Sequence, residues 1–308
     1  MEKRKIILDS DPGHDDAVAI MLALSNEKLD LLAITVEAGN QTLEKTGRNA
    51  LNLVEYFNVD IPVALGESHP LKKKLETCPK IHGESGLDGF NFPKTKRQFD
   101  NLSAAELMRK ILLENDKVTL VPTGPLTNIA ILLTKYPEVK PHIEEIVLMG
   151  GSIGFGNVTP AAEFNIFVDP EAADIVFRSG LVIKMMGLDV TRKVKLTFDM
   201  LNDFRKISNK ASVLFCDLMK VFIDNQKNVF GFEGAPLHDP VTIAYLIDPS
   251  IVTLKEMNTE IDVSGGPSYG RTNCDQFNYL NRKPNSFVAI DIDINKYWKI
   301  IKNGLENF

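Results

Sequence analysis

Short apolar runs alternate with longer mixed segments along most of this chain, and that alternation constrains its fold more than any other feature. Ile6-Ile7-Leu8, Leu31–Val36, Ile61–Leu65, Val118–Pro122, Ile146–Met149 and Val182–Met186 read as buried strands, most of them closed by a turn bearing Gly or Pro. Between them, Ala17–Leu24, Thr42–Phe57, Ser103–Asn115, a segment from Ile129, and Asp169–Ser179 read as helices, and Leu196 to about Phe230 is mostly helical. Ser103 and Glu106 stand in capping-box spacing. Strands alternating with helices predict an α/β fold, with a mostly parallel sheet covered by helices on both faces. Residues 67–100 are rich in Lys, Pro and Gly and lack sustained periodicity. With no internal repeat and no linker-like tract, residues 1–308 are expected to form one domain.

The first strand runs into Leu8-Asp9-Ser10-Asp11-Pro12-Gly13-His14-Asp15-Asp16, which places four carboxylates within eight residues. They lie on a strand-to-helix turn, at the carboxyl end of a strand, where open α/β sheets bind ligands. Carboxylates this close repel one another, so the turn needs a cation or raised pKa values. An all-oxygen ligand set favours a hard ion, Ca²⁺ or Mg²⁺. Asp15 or Asp16 would serve as a helix cap, but capping accounts for one acid and not four. An EF-hand does not fit. Counted from Asp9, position 6 is His14 rather than Gly and position 12 is Ile20 rather than Glu.

Composition narrows the partners. The net charge of −6 comes without a basic stripe, which argues against nucleic acid. Lys72-Lys73-Lys74 and Lys94 to Arg97 read as solvated loop faces. Cys78, Cys216 and Cys274 form no C-x-x-C, so neither a disulfide framework nor a zinc site is suggested, and a reducing compartment fits. The charged start, Met1 to Lys5, is followed by three apolar residues, too few for a signal peptide. No run of 18 apolar residues exists, so no membrane span is expected and the chain reads as cytoplasmic.

Three further polar clusters follow strand-like or turn-like segments. At Thr123-Gly124 a backbone carbonyl could ligate a hard cation, although alone the pair reads as a plain turn. Asn157, Glu163 and Asn165, beside Phe164 and Phe167, suit a sugar: amides and a carboxylate for hydroxyls, apolar faces to exclude water. The same segment also reads as an Asn/Gly-rich loop with two core phenylalanines. His238-Asp239-Pro240 follows a Gly-Ala-Pro turn and precedes an apolar helix, which makes His238 a candidate acid or ligand. His82 sits in a Gly-rich loop that could act as a lid. His14 lies within the acid turn and either serves the site or points to solvent. His69 and His142 read as surface residues.

Together these clusters resemble the inosine/uridine-preferring nucleoside hydrolase family. The resemblance runs from Asp9 to about Arg271-Thr272. It rests on Asp-x-Asp-Pro-Gly-x-Asp-Asp, Thr-Gly-Pro-Leu-Thr-Asn, Pro-Ala-Ala-Glu-Phe-Asn and His-Asp-Pro in that order. It implies a doubly wound α/β sheet, a homodimer or homotetramer, one Ca²⁺ at the bottom of a deep pocket, and a role in nucleoside salvage. Carried onto this sequence, it makes Asp11, Asp16, Asp239 and the Thr123 carbonyl calcium ligands, with Asp15 near both ion and ribose. Asp11 also matches the general base that deprotonates a calcium-bound water, and Asn40 the residue that helps hold that water. Asn165, Asp15 and Asp239 match contacts to the ribose 2′ and 3′ hydroxyls. Asn157 and Glu163 match contacts to the 5′ hydroxyl, and Met149 a contact under the sugar. His238 matches the leaving-group acid. The chemistry is consistent with this, because N-glycosidic hydrolysis passes through a cationic, oxocarbenium-like sugar that nearby acids stabilise.

Gln226 and Phe230 stand at i and i+4, one helical face just ahead of the His-Asp-Pro turn. Pyrimidine-preferring relatives carry Gln and Tyr at such positions against the base, and here Phe230 replaces the Tyr. His14 and His82 also look like that group, so uridine and cytidine are favoured, with inosine retained as a substrate. Two other readings stand beside this one. Asp9 and Asp11 superficially fit the Asp-x-Asp of a haloacid-dehalogenase-like phosphatase, although Pro-Gly-His-Asp-Asp is not that family's continuation. The other is a calcium-dependent ribose-binding protein without activity.

Overall fold

A computed structural model describes residues 3–308. Strand β1 (Arg4–Ser10) turns through Pro12 and Gly13 into helix α1 (His14–Ser25). Next come β2 (Leu29–Val36), α2 (Leu43–Tyr56), β3 (Val63–Leu65) and the single turn α3 (Pro79–His82). Then follow α4 (Ala104–Glu114), β4 (Val118–Pro122), α5 (Thr127–Lys135), β5 (Ile143–Met149), α6 (Phe164–Val168) and α7 (Pro170–Phe177). The chain continues through β6 (Ile183–Met186), α8 (Leu188–Thr191), β7 (Lys195–Leu196), α9 (Phe198–Arg205), α10 (Lys210–Phe230), β8 (Ala235–Pro236) and α11 (Pro240–Ile247). It closes with β9 (Val252–Met257), β10 (Thr259–Ile261), β11 (Thr272–Cys274), β12 (Ser286–Ile292) and α12 (Ile294–Glu306).

Eight strands form one sheet in the order β3-β2-β1-β4-β5-β6-β12-β9, parallel except for β9 against β12. In β1, Ile6 and Leu8 pack into one apolar core and Ile7 into the other, so side-chain alternation buries both faces. The expected α/β architecture with a mostly parallel sheet is therefore present. Strand order reverses at β1, which has β2 on one side and β4 on the other. That switch point leaves a crevice beyond the carboxyl ends of β1 and β4. Among the described residues, no helix is long and apolar enough to cross a membrane.

The observed elements depart from the sequence reading in three informative places. Helix α1 begins at His14, ahead of the apolar run, because Asp16 Oδ2 accepts the Gly13 N–H at 3.0 Å and caps the first turn. The 196–230 stretch is two helices: Ser208 adopts φ 57°, and Asn209 starts α10 afresh by accepting from Ser212 N at 2.8 Å. Lys73 is not a solvated loop lysine, since it donates to Phe167 O at 2.7 Å and lies over the Phe167 ring. Phe167 therefore packs under Lys73, away from the sugar-like cluster.

Candidate active site

The carboxyl end of β1 and the first turn of α1 deliver the acids. Asp16 is the most constrained. Its Oδ1 accepts from Ser10 Oγ at 2.7 Å and Thr123 Oγ1 at 2.8 Å, and Asn40 Nδ2 donates to its Oδ2 at 3.1 Å. Asp11 Oδ2 accepts from Asn40 N at 2.6 Å, whereas its buried Oδ1 has no partner. That approach needs Gly39, where a Cβ would stand 2.1 Å from Asp11 Oδ2. Asp239, at the start of α11, completes the set from the far end of the sequence.

Asp15, Asp16 and Asp239 each present a carboxylate oxygen within 4.8 Å of the other two. The expected ligand set was Asp11, Asp16, Asp239 and the Thr123 carbonyl, with Asp15 near both ion and ribose. In the structure Asp15 belongs to the trio, and Asp11 stands beside it through the Asn40 bridge. Burial, then the Asp16 charge, pushes Asp15 up to about 7. Burial and neighbouring carboxylates hold Asp11 and Asp239 well above the ordinary range. Buried oxygen donors that repel one another, with one oxygen unpartnered, fit a hard divalent cation. The Thr123 carbonyl, the other expected ligand, accepts from Asn165 Nδ2 at 2.7 Å.

Above these acids lies a cavity of about 590 Å³, within the usual range for small-molecule sites. Asp15, Asn40, Thr123 and Asp239 line its floor side, and Met149, Asn157, Glu163, Phe164 and Asn165 one wall. His82, Gln226, Phe230 and His238 also line it, while Asp11 and Asp16 reach it through Asn40 and Thr123. Asn165 is fixed by donating to Thr123 O and, at 3.1 Å, to Met149 O. Glu163 caps α6: its carboxylate accepts from the backbone N–H groups of Gly151, Asn165 and Ile166. Gln226 Oε1 is buried without a partner. Phe230, 44% exposed, stacks on Phe232 where the cavity opens.

The histidines divide by role. His82 Nδ1 accepts the His14 N–H at 3.1 Å, which leaves the ring proton on Nε2. Burial, with His14 and His238 nearby, holds His82 well below the ordinary imidazole range. His14 is completely buried, stacks on Phe222 and supports His82 from behind, and burial lowers it to about 4. His238 Nδ1 lies 2.7 Å from Thr191 Oγ1, and its backbone N–H donates to Asp15 Oδ2 at 3.2 Å. A neutral ring that accepts the Thr191 hydroxyl at Nδ1 carries its proton on Nε2. Burial and the Arg192 charge push His238 down to about 3, so the ring is neutral near pH 7.

Some partners escaped the sequence reading. Arg192 and Phe232 line the cavity, and Phe222 stacks on both buried histidines. Glu37, just past β2, is buried with Oε1 unpartnered, as is Asp9 Oδ2. Burial raises both acids, Asp9 to about 6 and Glu37 well above its ordinary value. The Asp9 charge adds to the burial that raises Glu37. Asp9 is fully buried and outside the cavity lining, with Oδ1 accepting from Thr35 Oγ1 and Asn128 Nδ2. That placement does not suit the nucleophile of the phosphatase reading.

The profile of the family described as "Inosine-uridine preferring nucleoside hydrolase" matches residues 6–299. The chain belongs to this family. Over 309 aligned residues this nucleoside hydrolase is 45% identical to the pyrimidine-specific ribonucleoside hydrolase RihB of Escherichia coli O1:K1 / APEC, covering 100% of this chain and 99% of that one. Its fold is similar to that of a purine-preferring ribonucleoside hydrolase from Gardnerella vaginalis, with TM-score 0.93, 35% identity and 98% of each chain covered. A plant nucleoside hydrolase, the PpNRh1 enzyme, also gives TM-score 0.93, at 31% identity, covering 98% of this chain and 99% of that one.

Proposed function

We propose that this chain hydrolyses the N-glycosidic bond of ribonucleosides to free base and ribose, with uridine and cytidine preferred. The observation that carries the reading is the buried trio Asp15, Asp16 and Asp239, two of whose members line a cavity shared with Asn157, Asn165 and His238. Similarity to the pyrimidine-specific relative supports the base preference. We take the chain to work as a dimer or tetramer in nucleoside salvage.

Asp15, Asp16 and Asp239, with the Thr123 carbonyl and Asp11 beside them, would hold the divalent cation, and calcium suits their all-oxygen donors. When bound, such an ion lowers the pKa of a water and orients it for attack. Asp11 takes the proton from the attacking water. Its buried, unpartnered Oδ1 makes it a stronger base than a solvated carboxylate. Asn40 keeps that carboxylate aimed. Asn165, Asp15 and Asp239 bind the 2′ and 3′ hydroxyls, Asn157 and Glu163 the 5′ hydroxyl, and Met149 packs under the sugar. The carboxylates also stabilise positive charge as the ribose becomes oxocarbenium-like. His238 serves the departing base through an Nε2 proton held in place by Thr191. His82, Gln226, Phe164 and Phe230 surround the base.

The test is ribose release from uridine and inosine, before and after dialysis against EDTA. The expected result is phosphate-independent release, faster from uridine, abolished by EDTA and restored by calcium. Absence of ribose from both substrates, with ribose still bound, would replace hydrolysis by the binding-protein reading.

A further inference from the structure

One turn of chain holds two walls of the cavity. Asp189 in α8 accepts from Ile153 N at 2.6 Å through Oδ2 and from Gly154 N at 3.1 Å through Oδ1. Arg192, the residue after α8, donates from Nη1 to Phe155 O at 3.0 Å and from Nη2 to Gly156 O. Four successive residues of one loop are thus fixed through their backbone by two side chains three positions apart. The loop does not anchor itself by burial, since Phe155 is 79% exposed. Between the two clamping residues sits Thr191, the partner of His238 Nδ1.

Beyond the clamp the loop closes tightly. Gly156 N donates to Pro160 O and Asn157 N to Ala162 O, each at 3.1 Å. A Cβ at Gly156 would stand 2.1 Å from Ala162 O. Asn157 therefore follows the last clamped residue directly, and its Oδ1 accepts from Phe164 N at 2.9 Å. The position of Asn157 in the cavity is set from the Gly156 carbonyl on one side and Phe164 on the other.

We propose that Asp189 and Arg192 are positioning residues that set recognition of the sugar's 5′ hydroxyl, acting through Asn157. The proposal rests on the reading of Asn157 and Glu163 as the 5′-hydroxyl contacts. Arg192 does this by planar, two-pronged donation to adjacent carbonyls, a geometry that a lysine or an amide does not reproduce. Without the guanidinium, the carbonyls of Phe155 and Gly156 lose their donors while Asp189 still holds Ile153 and Gly154. The displacement falls on Asn157. The acidic floor is built separately by β1, α1 and α11 and is left in place.

The experiment compares uridine with 5′-deoxyuridine on the calcium-loaded wild type, R192A, R192Q and R192K. The wild type should favour uridine in kcat/KM. R192A should lose about 10- to 100-fold on uridine, chiefly through KM, the scale expected for an ångström of misplacement. On 5′-deoxyuridine it should lose less, and R192K, which keeps the charge beside His238 but not the two-pronged donation, should show the same fall in discrimination. Should R192A fail to fold, R192Q carries the same comparison. Equal losses on both substrates, or unchanged discrimination, would overturn the proposal while leaving Asn157 and Glu163 in their roles. A wild type that hydrolyses both substrates equally well would instead remove the 5′-contact reading, and the proposal with it.

Discussion

Asn40 ties Asp11 to Asp16, giving its backbone N–H to Asp11 Oδ2 at 2.6 Å and its side-chain amide to Asp16 Oδ2 at 3.1 Å. One residue thereby sets the spacing between the proposed base and the metal-binding trio. Asp11→Ala removes the base and leaves the trio intact. Turnover of every nucleoside should fall by about 10²–10⁴-fold, the usual worth of a general base, with the fold unchanged by circular dichroism. A variant retaining near wild-type kcat on uridine would take Asp11 out of the mechanism.

His238 presents a different chemistry from a free imidazolium. Held near 3 by burial and Arg192, it is neutral at working pH, so its proposed role is to donate a hydrogen bond to the departing base and not to act as an imidazolium acid. His238→Ala should cost about 10²–10³-fold in kcat on uridine, the usual worth of one such donor. On p-nitrophenyl riboside, whose leaving group departs without a proton, the loss should be much smaller. Equal losses on the two substrates would rule out the leaving-group role.

The acid turn was legible because four of its carboxylates lie within eight residues and the strand and helix around them are apolar. Asp239 is more than two hundred residues away and became visible only through the order of motifs shared with the family. Its place beside Asp15 and Asp16 is a property of the fold, which packs α11 against α1. Arg192 carried no local signal. Its partners are two carbonyls 36 and 37 residues upstream, and backbone acceptors leave no trace in residue type. Glu37 reads as the polar end of a strand, and only packing against Asp9 and Asn128 shows it to be a buried acid. Lys73 reads as one of three solvated lysines until the Phe167 ring appears beneath it.

The Asp9–Glu37 pair should leave a signature in stability. Both acids are raised in the folded protein, Asp9 from 3.8 to about 6 and Glu37 well above its ordinary value. A raised carboxyl stabilises the fold at low pH, where both states are protonated alike, and that contribution is lost as pH rises through the folded value. Glu37→Gln keeps the shape, accepts from Asn128 N as before, and removes one of the two raised carboxyls. With calcium present to keep the proposed metal-binding acids ionised, wild-type Tm should fall as pH rises from about 4 through 6. The Glu37→Gln protein should fall less, so the difference between them grows with pH. A constant difference across that range would show that Glu37 is not raised in the folded protein.

The proposed base preference should turn on Gln226, the buried side chain whose Oε1 lacks a partner and whose helix face also carries Phe230. A pyrimidine offers a donor and an acceptor side by side on one edge, which an amide meets with both of its atoms. Phe230 adds an apolar face without the hydroxyl that would supply a further polar contact. Discrimination should therefore reside mainly in Gln226, and a site built to hydrogen-bond its substrate loses heavily when that bond is removed. In a kcat/KM panel over uridine, cytidine, inosine and adenosine, the wild type should prefer the pyrimidines. Gln226→Ala should lose at least about tenfold on uridine and cytidine and much less on inosine. Wild-type protein favouring inosine over uridine by an order of magnitude would overturn the preference. A Gln226→Ala protein falling equally on all four would place Gln226 in the wall of the cavity rather than against the base.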